Sequence, residues 1–590
     1  MAALEELVGR RPPNGLPRGD EDRPPPRHGI SSAEWALLAG LVVLALGLPA
    51  TLAVAGRTFG LPHNDDFTFM ATAVDYYRTG GFHLGGDEQM VLVGHVLWGQ
   101  PFLRLFGGGV AALHLAGLAA AAIGLGACFL VLRQRSSARP ALLGTACVAL
   151  LPGYALLAGS FVTDVTAFAA QMACLALGLA ALDRRGGGRT LLVGASLSAG
   201  VAAFSSRQTA VPALLAVAVA AVWQSAVVRR ARRTMVVDLG LILCASVAVA
   251  TMVLWRFGLA DQAHSPSGRV GMSNVLAAMA AISTLALFLA PLSWLVARSA
   301  LTRPMQWGAV ALGAISTLYW LRLPLEGRDL LLGNLFTRRG ATDGVIGGVK
   351  GDIFPPWVWP SLQVLAVLGV FALLTWAWHG LKDVRSGLRQ ISGQEGGAAR
   401  LLLAIFTLLA LAAALAPAAR GANVFDRYLW PVAAGIVAIL VRHVPDDLLR
   451  RRSVAAGSLA LLALLAVVTA VSVTESISFD RARWNIGEQA EASGVPADLI
   501  DAGYEWTGHH AIRPLSRQRP AEVLTAVSWW SWIYSSGLPC VVVTASPLDD
   551  PRYALERTRS YDPPLSPRRQ LFISRLVRPC PSATATTPTG

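Results

Sequence analysis

Two adjacent carboxylates, Asp65 and Asp66, follow the first long apolar segment of the chain, in the stretch LPHNDDFTF, 61–69. Acidic residues are scarce here, 36 among 590 residues of which 54% are hydrophobic. A carboxylate held beside a hydroxyl can accept its proton while the oxygen attacks an electrophilic carbon. Asp65 and Asp66 are therefore candidate general bases.

The sequence around the doublet also offers a structural reason for the two charges. Apolar side chains recur at three- and four-residue spacing and predict a short amphipathic helix along the membrane interface: Phe67, Met70, Val74 and Tyr77. Asn64 is a suitable N-cap and Gly80 a suitable helix stop. Both aspartates then lie in the first turn, where negative charge complements the helix dipole.

A third carboxylate, Asp164, lies between two apolar runs in LLPGYALLAGSFVTDVTAFAAQ, 150–171. An ionisable residue at the boundary of a membrane helix is a functional candidate by default. The alternative is a residue of the helix start that follows a capping Thr163. We expect Asp164 to share the face of the membrane on which Asp65 and Asp66 lie.

Cationic side chains occur at comparable boundaries. Arg207 and Gln208 separate two apolar runs, and Arg427 and Tyr428 open a later one. A guanidinium suits the geometry of a phosphate, although anchoring at the membrane interface is an equally ordinary role for Arg and Tyr. The Gly-rich loop 322–356 carries three further cations that could close on an anionic ligand: Arg338, Arg339 and Lys350.

Membrane-spanning helices are the elements expected to position these residues. Only 15% of the residues are charged and the mean hydropathy is +0.50, which is typical of a polytopic membrane protein. Thirteen apolar segments approach the length of about 20 residues that a span requires. They are 34–56, 109–132, 140–159, 162–182, 190–206, 209–228, 236–256, 274–297, 305–321, 357–380, 401–417, 429–442 and 453–474.

The distribution of basic residues predicts the orientation. The net charge is +14, but Arg is concentrated in short connectors such as RQRSSARP and DRRGGGR, which indicates cytoplasmic loops rather than a nucleic-acid surface. The Pro- and Arg-rich segment 1–33 is predicted to be disordered and cytoplasmic. The loops 57–108 and 322–356 and the region 475–590 then lie outside, around a transmembrane module at 34–474.

The region 475–590 has the pattern of a small α/β domain. A helix is predicted to end at Gly494, followed by a strand and turn in DLIDAGYEWTG and by strands in CVVVTAS and RQLFISRLV. Cys540 and Cys580 lie in this region and could form a disulfide if it is extracytoplasmic. No zinc-ligand set and no catalytic triad is evident, and HH at 509–510 is only a weak indication of a metal.

The order of these features resembles the polytopic GT-C glycosyltransferases, which include protein O-mannosyltransferases and aminoarabinose transferases of lipid A. The resemblance covers best the first 210 residues and then 421–434, and it lies in the placement of short motifs. It implies transfer of a sugar from a polyprenyl-phosphate donor to an acceptor hydroxyl or amine, with inversion, at the outer face of a bacterial cytoplasmic membrane. The acceptor would be a lipid, glycan or protein of the envelope.

The resemblance also implies roles for particular residues. The first-loop acid, thought to be the general base, falls on Asp65 or Asp66, and the second acid falls on Asp164. Binding of the lipid phosphate falls on Arg207, Arg427 or the 338–350 loop. The doublet departs from the single acid of the family, so the sequence leaves open which aspartate is the base. A divalent metal remains possible.

Three other functions remain open at this stage. A secondary transporter would carry ionisable residues deep inside its spans, whereas the notable charges here lie at span ends. A lipid flippase would need a polar cavity, which the sequence does not locate. A non-catalytic assembly protein of the cell envelope would tolerate loss of all three aspartates.

Overall fold

The computed structural model describes residues 30–84, 90–259, 272–300, 331, 333–341, 343–387, 396–420, 424–444, 449–511 and 528–580. The predicted disordered segment 1–33 lies almost entirely outside this range, and the predicted span 305–321 lies outside it completely. The described chain is a helical bundle with a small sheet near its C-terminal end. The predicted fold class, a polytopic helical protein with a C-terminal α/β region, is confirmed.

The helices are numbered in chain order. The first nine are α1 (Ser32–Ala55, with a π turn at Val43–Gly47), α2 (Asp66–Thr79), α3 (Val93–Phe106), α4 (Val110–Arg133), α5 (Ala138–Ala149), α6 (Tyr154–Leu157), α7 (Thr163–Leu182), α8 (Gly187–Ser206) and α9 (Val211–Trp223). The remainder are α10 (Arg232–Leu259), α11 (Met272–Phe288), α12 (Ala290–Ala300), α13 (Val358–Gly387), α14 (Gly397–Leu415), α15 (Trp430–Leu440), α16 (Arg452–Ala492), α17 (Tyr504–His509) and α18 (Trp529–Tyr534). Short 3-10 turns precede α9 at Gln208–Ala210 and α15 at Asp426–Leu429.

Seven helices in the described part of the chain are long and apolar enough to cross a membrane, and eight if α11 and α12, bent by 75° at their junction, form one span. Four of the other predicted spans, 140–159, 190–206, 357–380 and 429–442, do not form a helix that is long and apolar enough by the same criterion. Within the segment 140–159, helix α5 ends at Ala149, because the chain turns through Pro152 and through Gly153, whose φ is 73°. The segment 429–442 is a helix of 11 residues, and 357–380 belongs to the longer helix α13.

The predicted span 190–206 is a full helix, α8, although its Gly and Ser residues make it less apolar than its neighbours. Small residues allow close packing of α8 and its neighbours. A side chain at Gly200 would meet Leu214 of α9 at 2.9 Å, and one at Gly178 of α7 would meet Val217 at 2.7 Å. Close approach of backbones at glycine is a usual way for membrane helices to associate.

An arginine of the DRRGGGR connector is buried, contrary to its interpretation as a loop charge. Arg189 donates from Nη1 and Nη2 to the two carboxylate oxygens of Asp238, each at 2.8 Å. It donates further to Gln224 at 3.1 Å and to Ser225 at 3.1 Å. This network ties α8 to α10 and to the end of α9. Local charge counts cannot reveal it, because Asp238 comes 49 residues later.

The C-terminal sheet has four strands in the order β1 (Ile500–Asp501), β2 (Val541–Thr544), β4 (Arg569–Leu576) and β3 (Tyr553–Tyr561). β1 is parallel to β2, while the other neighbours are antiparallel. The strands in CVVVTAS and RQLFISRLV are as predicted. β3 was not predicted because only its two end residues are buried, so it lacks an alternating apolar pattern. The segment 500–511 has a two-residue strand, but α17 replaces the predicted turn.

One continuous helix connects the sheet region to the bundle. The helix that contains the last predicted span, 453–474, continues beyond residue 474: α16 runs unbroken for 41 residues and ends just before Gly494, whose φ is 94°. The predicted helix end is therefore correct, but the predicted boundary between span and domain lies inside one helix. A disulfide joins Cys540 and Cys580 within the sheet region.

Candidate functional site

The doublet lies at the start of α2, where the two side chains point into different surroundings. Asn64 has a φ of 54° and turns the chain into the helix, so Asp65 rather than Asn64 occupies the capping position. Gly80 ends the helix in the left-handed conformation, as predicted. The N-terminal half of α2 is buried, including Asp66, Phe67 and Phe69, so this half does not lie on an exposed interface.

Asp65 faces an arginine from the other end of the sequence. Its Oδ2 accepts a hydrogen bond from Arg427 Nη2 at 2.7 Å, and its Oδ1 accepts one from the hydroxyl of Tyr504 at 3.1 Å. Its side chain remains 28% exposed. Asp65 is therefore oriented by two side chains and still open to solvent, as a general base must be if it is to reach an acceptor.

Asp66 is fully buried beside a histidine. Its Oδ2 lies 3.0 Å from His114 Nε2, and its Oδ1 accepts the backbone N–H of His63 at 2.7 Å. His114 Nδ1 is 2.6 Å from the carbonyl oxygen of Phe59, so Nδ1 carries a proton and the Asp66–His114 contact shares a second one. Burial raises the pKa of Asp66, against the lowering effect of His114. Asp66 is thus a structural partner of His114.

The second predicted acid lies in the same site as Asp65. Asp164, in the first turn of α7, accepts a hydrogen bond from Arg207 Nη1 at 2.8 Å and lies 3.8 Å from Arg427 Nε. Arg207 also donates to Thr163 Oγ1 at 2.9 Å. Positive and negative groups therefore alternate in the order Asp65, Arg427, Asp164 and Arg207.

Arg427 is positioned by its neighbour in sequence. The buried Asp426 accepts the backbone N–H groups of Asn334, Leu335 and Phe336 at 3.3, 2.8 and 2.9 Å, and that of Arg427 at 2.9 Å. The three bonds from 334–336 hold the 3-10 turn before α15 against the 333–341 segment, and the fourth lies within the turn. The Asp426 carboxylate binds these backbone N–H groups, while the side chain of Arg427 contacts Asp65.

Two donors of the Arg427 guanidinium lack acceptors. Nε and Nη1 are buried and form no hydrogen bond with any residue in the described ranges. A buried guanidinium N–H without a partner is costly, since hydrogen bonds to charged groups are among the strongest in proteins. The side chain is also surrounded by aromatic rings, with Phe425 at 5.1 Å and Tyr428 at 6.0 Å from its Cζ atom.

A small apolar cavity opens beside the two arginines. Its polar rim consists of Asp164, Arg207 and Arg427, and Tyr428 lies between the guanidinium groups, 5.1 Å from Arg207 Cζ. Its walls come from α7, α14 and the start of α15: Ala167, Phe168, Gln171, Ala410, Ala413, Ala414, Pro417, Trp430 and Pro431. The cavity therefore combines a cationic rim with a hydrocarbon-like wall.

The remaining predicted ligand-binding residues lie elsewhere. Gln208 is exposed, and Arg338 is paired with Asp352 at 3.4 Å on the surface. Arg339 belongs to a turn in which its backbone N–H donates to Thr337. Lys350 is buried, 3.0 Å from Glu475 of α16 and over the ring of Phe479. None of the four lines the cavity described above.

A second polar network attaches the doublet's loop to the C-terminal region. His63 Nδ1 lies 2.8 Å from Asp480, and the backbone N–H of Asn64 donates to Glu505 at 3.0 Å. Arg483 bridges the two acids, at 2.8 Å from Asp480 and 2.7 Å from Glu505. Burial raises the pKa of Glu505 to about 6, against the lowering effect of Arg483. Burial alone would lower the pKa of His63, but Asp480 and nearby carboxylates raise it.

Five of the residues predicted from the sequence come together here, Asp65, Asp164, Arg207, Arg427 and Tyr428, whereas Tyr504 was not predicted. Tyr504 is separated from Asp65 by 439 residues and lies in a helix that was predicted as a turn. The density of aromatic residues in 504–534 was the available signal. Across the described residues, no group of three or more His, Cys, Asp or Glu side chains is arranged to hold a metal ion.

Comparison with known proteins gives matches among solved structures alone. No family model and no curated protein sequence matches this chain. ArnT from Cupriavidus metallidurans, in its apo state and bound to undecaprenyl phosphate, matches at 13% and 14% identity with a TM-score of 0.36. These matches cover 91% of this chain and 98% of that one.

The oligosaccharyltransferase of Archaeoglobus fulgidus in its apo form matches at 15% identity with a TM-score of 0.40, over 76% of this chain and 57% of that one. The same enzyme, AglB, in complex with an inhibitory peptide and a dolichol-phosphate matches at 14% identity with a TM-score of 0.37. ArnT and AglB belong to the GT-C superfamily that the sequence resembles. At these identities the matches assign no role to any residue of this chain.

Proposed function

We propose that this protein is a membrane glycosyltransferase that moves a sugar from a polyprenyl-phosphate donor to an acceptor hydroxyl or amine. The observation that carries this function is the buried Arg427. Two of its N–H groups have no hydrogen-bond acceptor among the described residues, and it borders an apolar cavity and contacts the partly exposed carboxylate Asp65. A lipid-linked phosphate has the matching chemistry, an anionic oxygen cluster attached to a hydrocarbon chain.

Arg427 and Arg207 bind the phosphate in this mechanism. The Nε and Nη1 groups of Arg427 point to different sides of the guanidinium and supply one donor each to phosphate oxygens, with hydrogen bonds strengthened by the positive charge. Asp164 holds both arginines, at 2.8 and 3.8 Å, and so acts as a positioning residue. The polyprenyl chain follows the alanine-lined wall of the cavity toward the bilayer.

Asp65 acts as the general base. The acceptor oxygen forms a bond to the anomeric carbon and gives its proton to Asp65, while the bond from that carbon to the phosphate oxygen breaks. The negative charge that develops on the leaving phosphate is stabilised by Arg427 and Arg207. A single displacement of this kind inverts the anomeric centre. Tyr504 keeps Asp65 in place through its hydroxyl.

Asp65 is favoured over Asp66 because the two differ in exposure and in partners. Asp66 is fully buried and shares a proton with His114, so no acceptor can reach it without disrupting α2 and α4. Asp65 is the more open member and contacts the phosphate-binding arginine directly. These differences in exposure and in partners support Asp65 as the proposed base.

The orientation predicted from the basic connectors supplies the rest of the proposal. The N-terminus lies in the cytoplasm, and the site, together with the C-terminal α/β region, lies on the outer face of a bacterial cytoplasmic membrane. The acceptor is an envelope lipid, glycan or protein.

Binding of undecaprenyl phosphate to the full-length protein in lipid nanodiscs tests the phosphate site. Arg427→Ala should weaken binding by about 10- to 100-fold, because it removes charge-assisted hydrogen bonds. The matched control is Arg420→Ala, since Arg420 is exposed at the end of α14 and should not matter. Unchanged affinity in Arg427→Ala would contradict the function, as would equal losses in both variants.

Mass spectrometry of lipid that co-purifies with the protein identifies the donor. A polyprenyl-phosphate sugar is the expected species, and its amount should fall in Arg427→Ala but not in Arg420→Ala. Recovery of the same phospholipids alone from both variants and the wild type would count against the proposal.

A further inference from the structure

An aromatic cluster surrounds the start of α2 and extends to the protein surface. Phe67, Trp530 and Tyr534 are buried together, with Tyr504 packed against them. The ring of Tyr504 lies 5.1 Å from Phe67 and 5.3 Å from Trp529. Trp529 is 53% exposed, so the cluster ends in an indole that faces solvent.

The exposed indole of Trp529 and the proposed catalytic carboxylate of Asp65 both contact Tyr504. Tyr504 uses its hydroxyl to contact Asp65 at 3.1 Å and its ring to contact Trp529. Phe67, two residues after Asp65, packs against the same Tyr504 and against Tyr534 at 5.5 Å. Asp65 and Trp529 are therefore connected through one aromatic side chain.

Hydrogen bonds to one buried carboxylate hold the helix that carries Trp529, α18. The buried Asp501 accepts hydrogen bonds from Trp530 Nε1 at 2.8 Å, from Ser528 Oγ at 2.5 Å and from Ser531 Oγ at 2.7 Å. A carboxylate that binds three side chains of one short helix sets the position of that helix. Trp529 is thereby presented on a rigid base, which lowers the entropy cost of binding a ligand on its face.

Membrane anchoring accounts for other exposed tryptophans better than for this one. Trp35 lies at the beginning of the apolar helix α1, and Trp357 directly precedes α13. Those are the positions of an aromatic belt at a membrane interface. Trp529 belongs instead to the C-terminal region and adjoins Asp65 through Tyr504.

We propose that Trp529 and Tyr504 form a stacking subsite for a sugar ring of the acceptor, which makes the acceptor a carbohydrate chain. One face of a pyranose ring presents C–H groups that pack on an indole, while its hydroxyl groups remain at the edge for hydrogen bonding. A ring stacked on Trp529 places the neighbouring part of the glycan beside Asp65. This inference rests on the proposed function and adds the chemical class of the acceptor.

Saturation-transfer NMR with the full-length protein in nanodiscs tests the subsite. The probes are mannotriose, maltotriose, chitotriose and an arabinofuranose trisaccharide. At least one probe should bind, with saturation concentrated on the C–H groups of one ring face. Trp529→Leu should weaken that binding about tenfold, and Trp529→Phe should retain most of it.

Trp532→Leu is the matched control, because Trp532 lies on the same helix and is 48% exposed. Its affinity for the sugar should stay at the wild-type value. Absence of binding by every probe would overturn the subsite, and so would an equal loss in the Trp529→Leu and Trp532→Leu variants.

Undecaprenyl phosphate binding, measured on the same samples, separates this inference from the proposed function. Trp529→Leu should leave that binding unchanged. If the donor phosphate binds and depends on Arg427 while no glycan depends on Trp529, the subsite is wrong and the transferase function stands. If undecaprenyl phosphate binding does not depend on Arg427, the function itself fails.

Discussion

Arg189 and Arg427 are both buried arginines paired with aspartates, but they differ in how completely they are bonded. Arg189 uses both Nη groups and Nε on Asp238, Gln224 and Ser225. Arg427 pairs with Asp65 through Nη2 and leaves Nε and Nη1 without acceptors in the part of the chain that is described. A saturated guanidinium holds helices together, whereas an unsaturated one beside a cavity is able to bind a ligand.

The acidic partners show the same contrast. Asp238 is fully buried and all its contacts are internal, while Asp65 is 28% exposed. The same substitution, aspartate to asparagine, should therefore damage different properties at the two sites.

Asp65→Asn should lower the turnover rate by about 10²- to 10⁴-fold, the usual contribution of a general base. Release of polyprenyl phosphate from the co-purifying donor measures this rate. Undecaprenyl phosphate binding should remain, because Arg207 and Arg427 are still present. Full turnover in Asp65→Asn would remove Asp65 from the mechanism.

Asp238→Asn should instead lower the free energy of unfolding by about 3–5 kcal/mol, because it leaves Arg189 buried without a countercharge. Denaturation of the protein in detergent monitors this loss. The folded fraction should keep wild-type turnover. Normal stability together with low turnover in Asp238→Asn would make Arg189 a second functional arginine. The distinction between a structural Arg189 and a ligand-binding Arg427 would then be wrong.

Tyr504→Phe should reduce turnover about tenfold and leave undecaprenyl phosphate affinity unchanged, because it removes one of the two hydrogen bonds that orient Asp65. The ring stays in place, so glycan binding on Trp529 should persist. A shift in the pH dependence of turnover should accompany the change, since Tyr504 hydrogen-bonds to the carboxylate proposed as the base. A purely structural tyrosine would leave that pH profile in place.

The smallest expected effect concerns pH and the network around Glu505. The folded-state pKa of about 6 lies above the ordinary value of 4.5, so the folded state binds a proton that the unfolded state releases. Stability from this group is thus greatest below about pH 4.5 and is lost as pH rises through about 6. The melting temperature should decline across this window, and Glu505→Gln should flatten the decline. An unchanged slope in the variant would assign the effect to other groups, His63 first.

Most residues of the candidate site could be predicted from the sequence, because they are charged residues that interrupt or border apolar runs. Asp65, Asp164, Arg207 and Arg427 all stand at ends of apolar segments, and the structure brings them together. Helix α2 and its stop at Gly80 followed from apolar spacing and from the conformational freedom of glycine. These are local patterns, readable without knowledge of the tertiary structure.

Pairing over long distances could not be predicted. Lys350 was expected to bind an anion, but Glu475, 125 residues later, neutralises it inside the protein. The separate environments of Asp65 and Asp66 depend on Tyr504 and His114, which only the fold brings near. Neighbouring residues at the start of a helix point in different directions, so adjacency in sequence implied a shared role that the structure does not support.

The unbroken helix α16 fixes a length scale for the whole molecule. Forty-one residues at about 1.5 Å per residue make a rod of about 62 Å, roughly twice the hydrocarbon thickness of a bilayer. Since Asp480 and Arg483 on this rod hold the loop of Asp65, the same rod sets the distance between this carboxylate and the apolar part of α16. Inserting or deleting one helical turn between the apolar part and Asp480 would therefore change that distance by about 5.4 Å along the helix axis.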